Sequence, residues 1–482
     1  MFQLSPRAAR RTSHNSGGRR KGWLHPMSQT DLPRSAMATE SAAARSALES
    51  GPNARNQRRA YLASLIGSVV EFYDFAIYGT AASLVFGSIF FSGMAPAAGV
   101  IASLATFAAG YLARPLGGVL FGHFGDRTGR KSVLMITLVL MGVSTMLIGF
   151  LPTTAQIGSL APVLLVTLRL IQGLAVGGEW GGAVLMSVET GPQKSRGLFG
   201  SATGVGAALG ALLATASFAA LGLLNEDQFM TWGWRIPFLA SVVLIAIGAY
   251  IRMNVQESPV FEASVDEREN ETTTRKQAPF VHLIRNHPGR LLLALCVYVG
   301  PVMAQSIVKI FVVSWGTTHT DASRGLMLNA LTVSLAVMVV GVPLFAALSD
   351  KVGRRVVYVP AAILFGIFSF LIFPMIASGS AALVFLAFFI SMGVIESACL
   401  GPVGAILSEV FPTESRYTGT SLAYQLSSMI GGGFGPLLAA ALATTLDLGV
   451  ITVSLMIAVF CAISAGSTMM LGDTRKANLT RV

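Results

Sequence analysis

Residues 122–131 read GHFGDRTGRK, and residues 346–355 read AALSDKVGRR. Both carry D-[RK]-x-G-R-[KR] directly after an apolar run, with Asp126 and Asp350 standing 224 positions apart. A second pair of motifs returns at nearly the same distance. ETGPQKSR at 189–196 and EVFPTESR at 409–416 share E-x-x-P-x-x-S-R, and Glu189 and Glu409 are 220 positions apart. Two unrelated motifs repeating at one spacing mark the chain as an internal duplication.

Apolar runs fill the space between the motifs. The 482 residues are 53% hydrophobic and only 12% charged, where a soluble domain carries roughly a quarter charged residues. About 20 apolar residues cross a bilayer as a helix. By that measure twelve spans are expected, at 61–86, 97–121, 132–151, 160–188, 198–222, 233–251, 290–316, 325–348, 356–377, 381–408, 420–445 and 449–471. The loops alternate in charge. Those after the first, third and ninth spans carry none, and the others on that side hold Arg235 and Arg324 against Glu226, Asp227, Asp321 and Asp447. Arg and Lys collect in the opposite loops, which places both termini and the 252–289 loop in the cytoplasm of a cell whose plasma or inner membrane holds the chain. The expected fold is an all-α integral membrane protein of about twelve helices in two pseudo-symmetric six-helix halves. Residues 61–251 and 290–471 form the bundles, 252–289 the central loop and 472–482 a short tail. Duplicated six-helix halves are an architecture of secondary transporters, with the solute site between them near the midplane.

The net charge of +11 is no sign of nucleic-acid binding, because residues 1–60 alone hold 11 Arg/Lys against 3 Asp/Glu. That tail lacks an apolar core and is expected to be disordered. It also lacks the apolar stretch of a signal peptide, and Met27 and Met37 are alternative starts. Cys296, Cys399 and Cys461 all lie in apolar runs, a membrane-core usage with neither disulfide nor metal spacing.

Apart from Arg235 and Arg290 at span ends, seven charged residues fall within the spans: Glu71, Asp74, Arg114, Arg169, Glu179, Lys309 and Glu396. Charges inside a membrane are costly and mark functional positions, pairing with one another or facing a water-filled cavity. The structural alternative for each is an ion pair that fixes helix packing. All six histidines lie in tails or loops, so proton handling in the membrane falls to carboxylates. In VVEFYDFAIYG (69–79), Glu71 and Asp74 share one helix face. At about 1.5 Å per residue they lie roughly 15 and 20 Å in from Tyr61, and Arg169 lies roughly 14 Å in from the other side of the fourth span. Arg169 is therefore the counter-charge at matching depth. A carboxylate beside a guanidinium keeps its charge, while a desolvated one takes up a proton. Protonation of Asp74 would free Arg169 to hold a carboxylate solute. Lys309, with Gln305, is either a second solute contact or the partner of a carboxylate such as Glu396. Glu179 is expected at a gate or in helix packing, and Arg114, nearer the cytoplasmic end, in a structural role. Gly122, Gly125 and Gly129 allow a tight turn, and Asp126 caps a helix start or pairs with Arg130.

GHFGDRTGRK resembles the cytoplasmic loop signature of the major facilitator superfamily, and RLIQG (169–173) its fourth-span R-x-x-Q-G motif. Together with VVEFYDFAIYG, the stretches ARPLGGVLFGHFGDRTGRK (113–131), RLIQGLAVGGEWGG (169–182) and WGWRIPF (232–238) are similar to the metabolite:proton symporters. That family includes shikimate, α-ketoglutarate, citrate and proline/betaine permeases. The likeness covers about 61–475, and the first half is most similar to the shikimate-carrying members. It implies a monomeric symporter importing a small organic acid, driven by the proton gradient and needing no cofactor. Uptake of a zwitterionic osmolyte is the alternative. Sugar:proton symporters of the superfamily are understood to pair a first-span Asp with a fourth-span Arg, which favours Asp74 over Glu71 as proton carrier. Tyr78, Arg169, Gln172, Gln305, Lys309 and Glu396 are then the candidate solute contacts. The resemblance makes the loop of Gly122, Gly125, Asp126, Arg127, Gly129, Arg130 and Lys131, with Asp350 and Arg354, a latch for the outward-open state. Arg114, Glu179, Glu189, Arg196, Glu409 and Arg416 are candidates for the supporting gate.

Other chemistries find no support. Gly204–Gly210 superficially matches a dinucleotide loop, but lies inside an apolar run without flanking strand or acidic partner, so close helix packing explains it. The same holds for Gly431–Gly435. No catalytic triad, metal-ligand cluster or ATP phosphate loop is apparent.

Overall fold

The computed structural model describes residues 54–221, 224–254, 279–445 and 448–476. Most of the basic tail and residues 255–278 of the central loop lie outside the described residues. Twelve long helices follow one another. In the first half they are α1 (Ala54–Ala81, carried on to Phe90), α2 (Pro96–Thr128), α3 (Arg130–Phe150), α4 (Leu160–Thr190), α5 (Arg196–Gly200 and Ala202–Leu221) and α6 (Arg235–Met253). In the second half they are α7 (Pro288–Ser306, carried on to His319), α8 (Arg324–Val352), α9 (Arg354–Ala377), α10 (Ala381–Phe388, carried on to Val410), α11 (Arg416–Ser427, carried on to Ala440) and α12 (Val450–Leu471). Among the described residues eleven helices are long and apolar enough to cross a membrane, and α2 completes the set of twelve. Pro279–Asn286, read from the sequence as loop, is a short helix ahead of α7.

Helices α2 and α8 run past their expected ends, and the repeat explains where they stop. Each continues to the residue before the motif glycine, and Gly129 and Gly353 take φ of 100° and 112°. Only glycine reaches that backbone region readily, so it breaks the helix and starts the next one at Arg130 or Arg354. We call this side of the molecule the basic face.

Wider π turns interrupt α1 at Ala82–Phe86, α7 at Ile307–Val312, α10 at Phe389–Glu396 and α11 at Ser428–Phe434. Such turns re-aim side chains and concentrate at functional positions. Here one carries Lys309 and another ends on Glu396. Glycines set the helix spacing: a side chain at Gly206 or Gly210 of α5 would overlap the α1 backbone near Leu65–Tyr73, and one at Gly431 that of α7. These are the two glycine clusters that the sequence assigns to packing.

Candidate functional site

Four residues on three helices build a buried polar chain in the first half. Asp74 on α1 accepts a hydrogen bond from the Thr145 hydroxyl of α3 at 2.6 Å. The Gln172 amide nitrogen of α4 donates to the same hydroxyl oxygen at 2.6 Å, and Arg169 donates to the Gln172 amide oxygen at 3.3 Å. Asp74 and Arg169 are both fully buried, but they do not form the direct pair expected from their depth. Arg169 is instead held by rings: its guanidinium carbon lies 3.9 Å from the centre of Phe75, 4.2 Å from Tyr78 and 5.0 Å from Phe107. Aromatic faces attract cations, most strongly where water is excluded. Gly110 of α2 leaves the space, since a Cβ there would come within 2.6 Å of Arg169 Nε. Tyr78 is anchored in turn by a 2.6 Å hydrogen bond with Thr106. Asp74 Oδ1 and Arg169 Nε and Nη2 remain buried with no hydrogen-bond partner. A buried charge without a partner is expensive, so these atoms are where a proton, a solute or a water would be received.

Glu71 stands apart from this chain. It is fully buried and neither oxygen has a hydrogen-bond partner; its charged neighbours are Arg114, Glu179 and Arg252. Arg114, expected to be structural, lies with its guanidinium carbon 3.8 Å from the centre of Phe75 and 4.3 Å from Tyr111. It therefore shares an aromatic ring with Arg169. Glu179 does serve packing: it forms an ion pair with Arg252 of α6 and accepts a 2.8 Å hydrogen bond from Thr137 of α3. Arg252 was assigned to a loop by the sequence because it stands just past the apolar run, yet α6 carries it inward.

The second half repeats the pattern with different residues. Lys309 on α7 donates to the Gln305 amide oxygen at 2.5 Å, and the Gln305 nitrogen donates to Glu396 of α10 at 2.8 Å. Tyr298 also donates to Glu396, at 3.5 Å. Once more a glutamine separates cation from carboxylate, and one carboxylate oxygen, Glu396 Oε2, is left without a partner.

Around these sites the two halves are locked at the basic face. Asp126 on α2 accepts the backbone N–H groups of Tyr417 and Thr418 at 3.1 and 3.0 Å and the Thr418 hydroxyl at 2.8 Å. Asp350 on α8 accepts those of Gly197 and Leu198 at 2.8 and 2.9 Å. Neither Ser415 nor Ser195 caps its own helix with its side chain, so each aspartate fills the orphan donors of a helix start in the opposite half, at the positive end of its dipole. Asp126 thus caps a helix, but not in its own hairpin. Arg416 pairs with Glu189 at 3.1 Å, Arg354 with Asp350 at 2.6 Å and with Glu409 at 3.3 Å, and Arg196 lies in the field of Glu409. Lys131 donates to the Met253 carbonyl at 3.0 Å. The side chains of Arg127 and Arg130 lie outside those described. Gly122 and Gly125 do not form a turn: both are inside α2, where Cβ atoms would collide with Thr418 and with the Tyr417 ring.

In GGEWGG (177–182), Gly178 faces Phe121 of α2 and its carbonyl accepts a 2.6 Å hydrogen bond from the Tyr417 hydroxyl. Gly177 backs onto Gly118 of α2, Gly181 and Gly182 onto Ser421 and Tyr417 of α11, and Glu179 reaches Arg252. Trp180 stacks on Tyr424 across the seam at 3.6 Å and 5°, and Tyr424 stacks on Tyr298 at 5.5 Å. WGWRIPF holds the opposite face, where Arg235 donates to the Gly149 and Leu151 carbonyls at the end of α3.

The family described as "Sugar (and other) transporter" matches residues 60–282, and the Major Facilitator Superfamily matches 302–479. The chain is 38% identical to the shikimate transporter of Escherichia coli (strain K12) over 423 residues, covering 87% of this chain and 95% of that protein. It is 39% identical to the inner membrane metabolite transport protein YhjE of the same organism over 435 residues, covering 89% and 96%. Among solved structures, the proton:xylose symporter XylE bound to 6-bromo-6-deoxy-D-glucose superposes with a TM-score of 0.72 at 18% identity, covering 89% of this chain and 98% of that one.

Proposed function

The chain belongs to the major facilitator superfamily of membrane transporters, and we propose that it is a proton-coupled symporter bringing a small organic acid into the cell by alternating access. In this reading the basic face is cytoplasmic, by the loop charges, and the locked seam closes that side. The observation that carries the reading is the pair of unfinished groups at one buried site. Asp74 has a carboxylate oxygen to receive a proton, Arg169 has two nitrogens to receive an anion, and Thr145 and Gln172 connect them.

The hydroxyl of Thr145 supplies the coupling. It has two acceptors within reach, Asp74 at 2.6 Å and the Met141 carbonyl at 3.0 Å. With Asp74 ionised, Thr145 donates to it and the chain orders Gln172 and Arg169 behind it. Once Asp74 holds a proton, it can donate to Thr145, whose own hydrogen turns to Met141. The negative charge that balanced Arg169 is gone, and a solute carboxylate takes its place. An acid is favoured over a zwitterionic osmolyte because guanidinium groups already occupy the ring faces of Phe75, Tyr78, Phe107 and Tyr111 that could cradle a quaternary ammonium.

The test uses proteoliposomes and Asp74→Asn. Accumulation driven by a pH gradient should vanish while exchange of labelled acid across the membrane persists. Wild-type accumulation by that variant would overturn the reading.

A further inference from the structure

Arg114 and Arg169 come from different helices, α2 and α4, yet both lie against Phe75. Their guanidinium carbons are 3.8 and 3.9 Å from the same ring centre, so they can be no further apart than the sum, 7.7 Å. Two positive charges that close, almost without water, repel strongly. Nothing in the described structure neutralises them directly. Arg169 makes no ion pair and leaves Nε and Nη2 unpartnered, and Arg114 makes no ion pair and leaves Nε unpartnered. Arg114 is the strongest charged neighbour of Glu71, but both Glu71 oxygens go without a hydrogen bond. Asp74 reaches Arg169 only through Thr145 and Gln172. A fold that needed the two arginines for packing alone would pair them, as it pairs Arg252 with Glu179 and Arg416 with Glu189.

The arginine pair also lies next to the second half of the chain. Tyr111, the second ring under Arg114, lies against Gly432 and Gly433 of α11, and a Cβ at Gly432 would be 3.3 Å from Tyr111 and 3.5 Å from Ser306 of α7. Ser306 adjoins Gln305 in sequence, so the arginine pair borders the second half and its Lys309 chain.

We propose that Arg114 and Arg169 together form a two-anion site around Phe75, so that the solute is a dicarboxylate with one carboxylate on each guanidinium. This rests on the organic-acid reading above and narrows it: Arg114 becomes the residue that separates diacids from monoacids. An arginine presents a planar fork of donors that matches a carboxylate, and a site built to bind a charged group rejects an analogue that lacks it.

The experiment measures binding to purified protein in detergent over a series of pH values, so that it does not depend on proton-driven accumulation. The probes are succinate, glutarate and adipate, each beside its half-amide. Wild type should bind the diacid of best length at least about tenfold more tightly than its half-amide, the usual scale of one charge-assisted contact. Arg114→Gln should weaken the diacid by that factor, leave the half-amide within about twofold, and bring the ratio near one. Arg114→Lys keeps a cation and should restore part of the preference, which a purely structural role would not produce. Equal binding of diacid and half-amide by wild type overturns the proposal, as does an equal loss of both in Arg114→Gln. Should wild type bind none of the six compounds, the two-anion proposal falls, while the organic-acid reading is judged separately by the Asp74→Asn transport assay.

Discussion

Asp74 and Arg169 do not touch, because Thr145 and Gln172 stand between them. A direct ion pair would have to be broken each time a solute arrived. In the proposed cycle, a relay of one hydroxyl and one amide carries the state of the carboxylate while Nε and Nη2 of the guanidinium stay unspent.

Thr145→Val therefore removes the switch while nearly preserving the side chain's shape. Losing a buried hydrogen-bond partner is worth about 1–3 kcal/mol, so pH-driven accumulation should fall roughly tenfold or more. Exchange should change much less, and Thr145→Ser should behave as wild type. Paired uptake and exchange assays check this; an equal loss in both would assign Thr145 to packing.

Glu179 and Arg252 tie α4 to α6 in a fully buried ion pair. Removing one member strands the other, at about 3–5 kcal/mol. Glu179→Gln should lower the unfolding temperature in detergent markedly, and the double variant Glu179→Gln with Arg252→Gln should recover part of it. A single variant that melts with wild type would contradict the pairing.

A valine at Gly125 would meet the Tyr417 ring and so hold the seam apart. Ser421, fully buried against Gly181, supplies the reporter. As Ser421→Cys it should react slowly with a membrane-impermeant thiol reagent applied at the basic face, and much faster when combined with Gly125→Val. Asp126→Asn should accelerate labelling too, through loss of the charge at the start of α11. Unchanged rates in both combinations would remove these residues from the lock.

The stack of Trp180 on Tyr424 crosses from one half to the other. Parting of the halves at the basic face must break it, so Trp180 fluorescence should change when Gly125→Val opens the seam. Tyr424→Leu should abolish that change. An identical response in Tyr424→Leu would show that the signal comes from another tryptophan.

Much of this could be read from the sequence because membrane burial makes charge scarce. Asp74, Arg169, Lys309 and Glu396 announced themselves, and the repeated motifs gave the duplication and both aspartates of the lock. Thr145 gave no such signal: a threonine in an apolar helix can satisfy itself on the carbonyl one turn back, as Thr145 also does with Met141. The direction of Arg114 was hidden because α2 packs on several sides and has no single polar stripe to orient it. Gly122 and Gly125 read as turn glycines for a related reason, since a glycine that admits a neighbouring helix looks in sequence like one that bends the chain. Arg252 lay beyond the apolar run that defined α6, and only the packed helix shows it turned inward.

Across the seam the Asp350 lock grips main chain alone, while the Asp126 lock adds one side chain, the Thr418 hydroxyl. Asp350 holds the amides of Gly197 and Leu198, groups that every residue except proline would offer. When the seam parts, water can solvate both the carboxylate and the amides, and neither aspartate leaves a cation stranded behind it. The Asp350 contacts therefore demand geometry of the opposite half and almost nothing of its composition. A chimera joining the first half of this chain to the second half of another superfamily member that keeps an arginine at 416 and a threonine at 418 should still close at the basic face, making the halves separable modules for engineering.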